Sequence, residues 1–213
     1  MRSDSASRNI PRSAQMRRRI AVEAARLMSE HGIRDFHLAK RKAAAHLNVS
    51  NEANLPRNSE IELALREHQR LFQATQQPQQ VRYLRERAIA AMDFFQRFEP
   101  RLVGGVLEGT ADRHSAVCLH LFSDTAEQVI ELLDEHAIAY HELDRRQRMR
   151  HHEYVQFPAL CIQRDDVEFD LTILPRDAIR QPPMDRVNDR PMRRAARADV
   201  ELLLTGDEIW GSN

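Results

Sequence analysis

From Ser13 to Phe98 the apolar positions recur with helical spacing, and after Pro100 the period drops to two. Ile20, Ala24, Leu27 and Met28 fall at i, i+4, i+7 and i+8, one stripe of a helix that ends near His31-Gly32. Phe36, Ala39, Ala43, Ala44 and Leu47 form the apolar face of a second helix, with Lys40, Arg41 and Lys42 expected to turn outward. In "NLPRNSEIELALREHQRLF", Ile61, Leu65, Gln69 and Phe72 share one side of a third, with Asn58 or Ser59 placed to cap it. Residues 13–73 therefore read as a helical unit and residues 1–12 as a disordered N-terminus. "QATQQPQQ" has no periodicity, so residues 74–82 read as a linker.

"VRYLRERAIAAMDFFQRF" is again amphipathic, with Leu84, Ala88, Ala91 and Phe95 on one side and Pro100 as the stop. "RLVGGVLEG" reads as a strand broken by glycines and "SAVCLHLFS" as a second strand. A helix follows in "TAEQVIELLDEHAI", with Ser123 or Asp124 as its expected cap and Val129, Leu132 and Leu133 inward. "AYHELDRRQ", "EYVQFPALCIQ" and "VEFDLTILP" read as three more strands, the last two joined by a tight "RDD" turn. Residues 182–213 hold a turn-rich connection, a final helix packing Ala196, Val200 and Leu203 or Leu204, and a tail with the single Trp210. The fold class is α+β: an N-terminal helical unit, then a mixed sheet with helices on one face.

Net charge is zero but uneven. Residues 1–50 carry eleven Arg/Lys against four acids, a balance of +7 that leaves −7 for the remainder. Such polarity is a footprint of nucleic-acid contact, although an arginine bias this strong, with only two lysines, also fits GC-rich coding. No apolar run approaches the ~18 residues that span a membrane, and the first residues lack the apolar block of a secretory signal. The chain is expected to be cytoplasmic, with no membrane partner. Cys118 and Cys161 lie in strand-like apolar runs and read as small buried hydrophobes. His151 and His152 are adjacent, so on a strand they would point to opposite faces, and they read as a polar loop without a metal role.

Alternation in the second strand groups Ala116, Cys118 and His120 on one face, and in the last strand Glu168, Asp170 and Thr172. The order helix, strand, Gly104-Gly105, "EGTADRHS" with Gly109, Ala111 and Ser115, strand, helix, and a later strand with Asp170 resembles the nucleotidyltransferase fold of the DNA polymerase β superfamily. The resemblance covers residues 83–181 and extends to small bacterial proteins described as nucleotidyltransferase-like. It implies a polyphosphate pocket at Gly104, Gly105, Gly109 and Ser115, and Mg²⁺ held by two acids of the second strand and by Asp170. Phosphoryl transfer gathers negative charge that two metal ions normally clamp, and Mg²⁺ prefers carboxylate oxygen among side-chain ligands. Here the two acid positions hold Ala116 and Cys118, which disfavours Mg²⁺ and leaves Asp170 and Glu168 as a weak metal site. The chain has no Gly-Lys-Thr/Ser loop, which removes an ATP-gripping ligase of the muramate–alanine type.

Three functions follow. The first is a degenerate nucleotidyltransferase-like protein that binds a nucleotide or RNA without standard two-metal transfer. The second is an active transferase with a rearranged site, using Asp170 and His120 as catalytic residues with Glu168 and Asp112 or Asp124, the last two being more simply a turn former and a cap. The third is a nucleic-acid-binding regulator in which Arg17, Arg18, Arg19, Lys40, Arg41 and Lys42 contact phosphates. For this last, "AKRKAAAHLNVS" matches a helix-turn-helix only faintly, without its turn glycine.

Overall fold

The computed structural model describes residues 12–49, 54–150 and 153–210, with side chains to residue 206. The N-terminal residues 1–11, His151, His152 and the Trp210 side chain therefore lie outside the described residues. The chain divides into two compact units, one up to Phe72 and one from Gln73.

The first unit is helical: α1 (Arg12–His31), α2 (Phe36–His46) and α3 (Asn58–Phe72). Ile20, Ala24, Leu27 and Met28 are buried against Ala39, Ala43, Ala44, Ile61 and Leu65. Small alanines on α1 and α2 let the helices approach closely. Asp35 caps α2 by accepting from the Leu38 N–H at 2.7 Å. α3 starts at Asn58, so the position before the helix falls on Arg57 rather than on Asn58 or Ser59. Glu60 reaches back to accept from the Arg57 N–H at 2.7 Å, half of a capping box. Two expected positions move. Phe72 is 74 % exposed, and Ala64 completes the buried side of α3. Lys40 is buried rather than outward: its Nζ donates to the Pro56 carbonyl at 2.9 Å, and burial lowers its pKa.

The second unit opens with α4 (Gln76–Phe94), so the residues read as a linker are helical from Gln76 on. Pro78 falls in the first turn, where an amide has no intrahelical acceptor to lose, and glutamine is a good helix former. A 3-10 turn, Gln96–Phe98, carries the chain to Pro100. Then come β1 (Arg101–Val103), α5 (Gly105–Glu108), β2 (Val117–Phe122), α6 (Glu127–Glu135), β3 (Tyr140–Arg148), β4 (Tyr154–Arg164), β5 (Val167–Leu174), a second 3-10 turn (Arg176–Arg180) and α7 (Arg197–Trp210). The "GVLE" part of the expected first strand is thus a single helical turn.

The sheet is mixed, in the order β1-β2-β5-β4-β3. β2 and β5 are parallel neighbours, and the other pairs are antiparallel. Leu119, Leu121, Leu160, Ile162, Phe169, Leu171 and Ile173 line one face and pack on α4, α6 and α7 through Leu84, Met92, Val129, Leu133 and Val200. On the other face Phe122, Phe157 and Leu174 meet Ala178 of the second 3-10 turn. Leu102 exchanges both backbone hydrogen bonds with Ala195, at 2.9 and 3.0 Å, which closes the β1 edge. The β4–β5 hairpin turns on Asp165 and Asp166, both at positive φ, a conformation aspartate tolerates. Among the described residues no helix is long and apolar enough to cross a membrane.

Candidate functional site

Strand register decides which side chains meet. Val103 pairs with Cys118, Cys118 with Asp170, Asp170 with Cys161, and Cys161 with His141. Residues paired across neighbouring strands point to the same face with Cβ atoms about 5 Å apart. One row therefore crosses the sheet on the face opposite α4, α6 and α7. Cys118, Asp170 and Cys161 stand half-buried at its centre. Neither cysteine is the core hydrophobe that its apolar neighbours imply.

The glycine bend abuts this row. Gly104 has φ 73° and ψ −155°, a region essentially reserved for glycine, where a side chain costs about 1–3 kcal/mol. A Cβ at Gly104 would lie 3.8 Å from Cys118 Cβ and 3.9 Å from Sγ. The bend is therefore exposed, one residue's width from Asp170's neighbour, and is not packed shut. Gly105 packs against Thr110 and Ala111, whose amides both reach the Gly105 carbonyl region, the Thr110 N–H at 2.9 Å. Gly109 ends α5 in the left-handed conformation. Arg85 of α4 donates to the carbonyls of Val106 (3.2 Å) and Leu107 (3.4 Å), fixing α5 from below. Gln77 donates to Gly109 and Ala111 carbonyls at 2.7 and 3.1 Å, tying the start of α4 to the same turn. Ser115 closes the Asp112 turn: its Oγ accepts from the Asp112 N–H at 2.9 Å and donates to Asp112 Oδ1 at 3.1 Å. Gly109, Ser115 and Asp112 thus shape the loop between α5 and β2.

Asp170 is ion-paired with Arg145 of β3, through Nη2 to Oδ2 and through Nε to Oδ1 at 3.4 Å. Arg145 reaches over β4 to do this. The pairing raises its pKa and keeps the guanidinium charged. Its side chain remains 36 % exposed, against 16 % for Asp170. Beside them the Cys118 thiol donates to the Ala116 carbonyl at 3.8 Å. Burial, and then the charge of Glu168, push the Cys161 thiol up and keep it protonated. Neither observation describes an activated nucleophile.

The other sequence-derived site residues do not join the row. His120 is 1 % exposed, and its Nδ1 accepts from Arg194 Nε at 3.1 Å. Burial and the neighbouring Arg194 charge lower its pKa to about 3. It is a neutral acceptor inside the unit and not a base open to substrate. Asp124 pairs with Arg176 at 3.1 Å. It lies two residues past the end of β2. The first residue flanking α6 is Ala126, and Ser123 Oγ donates to Gln128 Oε1 at 2.6 Å, so neither Ser123 nor Asp124 caps that helix in the expected way. Of the residues expected to serve a rearranged transferase site, His120 is buried against Arg194 and Asp124 is paired with Arg176.

Mg²⁺ does not fit the row. Ala116 and Cys118 supply no carboxylate, and Asp170 is held by Arg145. Among the described residues no group of three or more His, Cys, Asp or Glu could hold a metal ion. Glu168 stands two positions from Asp170 without completing such a group.

In the helical unit the basic set is thinner than its sequence implies. Lys40 is withdrawn to Pro56. Arg17 is half-buried, with its Nε lacking a hydrogen-bond partner. Arg18, Arg19, Arg41 and Lys42 remain exposed.

Arg145 is the site residue the sequence reading overlooks. Its alternation signal exists, since His141, Leu143, Arg145 and Gln147 share one face of β3. Nothing in a linear pattern shows that this face meets Asp170 across an intervening strand. Comparison of the chain with protein-family models, curated proteins and solved structures finds no match.

Proposed function

We propose that the chain is a nucleotidyltransferase-like protein with a degenerate site, binding a nucleotide or RNA without standard two-metal nucleotidyl transfer. The observation that carries this reading is the meeting of the Gly104 bend, Cys118 and Asp170. Gly104 lies against Cys118, and Cys118 is the register partner of Asp170 in the adjacent parallel strand. In the fold that the sequence resembles, this is where polyphosphate, two strand acids and a third acid come together. The third acid is present and paired with Arg145, and the positions of the two others hold an alanine and a thiol. Loss of the acids removes the means to stabilise charge developing on a transferred phosphoryl group. The half-open sheet face and the glycine-only bend remain.

Amide NMR locates the ligand. With ATP in EDTA, the signals expected to shift are those of Val103–Gly105, Val117–Leu119 and Phe169–Leu171. Shifts confined to α1 and α2 would instead support the nucleic-acid regulator, and no shifts anywhere would remove the nucleotide reading.

A further inference from the structure

We propose that Arg145 takes the place of the missing metal ion: its guanidinium, seated on Asp170 beside Cys118 and the Gly104 bend, directly receives the phosphate chain of a nucleoside polyphosphate. This rests on the nucleotide-binding reading above and names the group that does the binding. Four observations support it.

The first is position. The guanidinium reaches the Asp170 carboxylate from a strand two places away in the sheet, so it lies over the middle of the row and away from its own edge strand. The second is unspent capacity. An arginine offers five N–H donors, and Asp170 takes one from Nε and one from Nη2. Among the described residues no acceptor is paired with Nη1. The third is access, because the Arg145 side chain is more than twice as exposed as the carboxylate it holds. The fourth is charge. Arg145 cancels Asp170, which would otherwise repel a phosphate chain, and a planar fork suits phosphate oxygens. A divalent ion would need Asp170 for itself, so the pair and the metal exclude each other.

The sheet positions the guanidinium before any ligand arrives. Asp170 fixes one edge of the fork, and β3 is anchored along its length, with register pairs to β4 from Tyr140 to Arg148. Little side-chain entropy is left to lose on binding, which favours affinity.

Calorimetric titration of the full chain with ATP and with inorganic tripolyphosphate, each in EDTA and in Mg²⁺, tests this. Wild type is expected to bind both in EDTA, with little change on adding Mg²⁺. Arg145→Met is expected to weaken both about tenfold or more, and Arg145→Lys to recover part of the loss. Asp170→Asn frees two further N–H groups and removes the competing carboxylate, so it is expected to tighten binding. Because Arg145→Met leaves Asp170 without its partner, the double variant Arg145→Met/Asp170→Asn provides a fold-neutral control, and it too is expected to lose binding. Wild-type affinity in both Arg145 variants would overturn the role of Arg145 while leaving the nucleotide reading in place. Binding that requires Mg²⁺ would also overturn it. Absence of ATP and tripolyphosphate binding under both conditions would defeat the nucleotide reading itself.

Discussion

Leu171→Ala is expected to lower the stability of the sheet unit by about 2–5 kcal/mol, the range for truncating a buried leucine. Leu171 is fully buried and sits on β5, between β2 and β4. Its side chain faces α4, α6 and α7 with Leu119 and Leu160 on either side. Three elements of regular structure surround it, so the cavity left by three lost heavy atoms cannot collapse cheaply. Amide exchange of β2 and β5 reports this unit alone, and each 1.4 kcal/mol appears there as about a tenfold loss of protection. Leu202→Ala on α7 is the control. Leu202 is 70 % exposed, and its truncation is expected to stay within about 0.5 kcal/mol. Equal effects from the two changes would show that the packing face of the sheet is misassigned.

The second large effect is pH dependence from His120. In the folded protein, burial and then the Arg194 charge hold its imidazole neutral down to about pH 3. The groups facing it are Arg194, which donates to it, Arg101, its register partner on β1, and Thr172, its partner on β5. In the unfolded chain the ring protonates near pH 6.5. Between these values the unfolded state holds one more proton, so stability is complete above about pH 6.5 and falls as pH drops. Integrating one proton gives a loss of about 2 kcal/mol at pH 5 relative to pH 7.5. Glu23, held down to about 2 mainly by its hydrogen bond with Arg26, acts with the same sign but only below the ordinary carboxylate range. Urea denaturation followed by NMR signals of the sheet unit should show the loss in wild type and most of it abolished in His120→Gln. A wild-type profile matching that of His120→Gln between pH 7.5 and 5 would mean that the ring is reachable by protons in the folded state.

Stretches with period 2 or 3.6 are legible as elements because the alternation of buried and exposed positions is a local property of the chain. Ile20, Ala24 and Leu27 on α1, and Phe169, Leu171 and Ile173 on β5, are buried as their spacing requires. The same spacing also places Lys40 on the stripe of Phe36, Ala43, Ala44 and Leu47, where a long stem can pack while its ammonium finds the Pro56 carbonyl. Charge alone misassigned it to the outer face. The one-turn helix α5 is too short to leave a period, and Val106 and Leu107 read equally well as strand. The glutamine-rich start of α4 lacks apolar residues, yet Gln77 is anchored by two carbonyls over thirty residues away.

The candidate site was legible in part. Gly104 and Asp170 were found from their place in the order of elements, and register then joined them through Cys118. His120 was misread because alternation predicts which face a side chain takes and not what covers that face. Here Arg194, over seventy residues away, lies against it. Arg145 was hidden for the complementary reason: its partner is fixed by the strand order β5-β4-β3, a property of the assembled sheet. Pattern thus carried the fold, and the charges of the site required the topology.

The most direct measurement is the melting temperature of the full chain across a panel of nucleoside mono-, di- and triphosphates, each with EDTA, Mg²⁺ or Mn²⁺. Ligands that bind the folded state raise it. The expected result is a rise with at least one polyphosphate of the same size in EDTA as with either metal. A rise that appears only with Mg²⁺ or Mn²⁺ would contradict a pocket that works without its magnesium clamp.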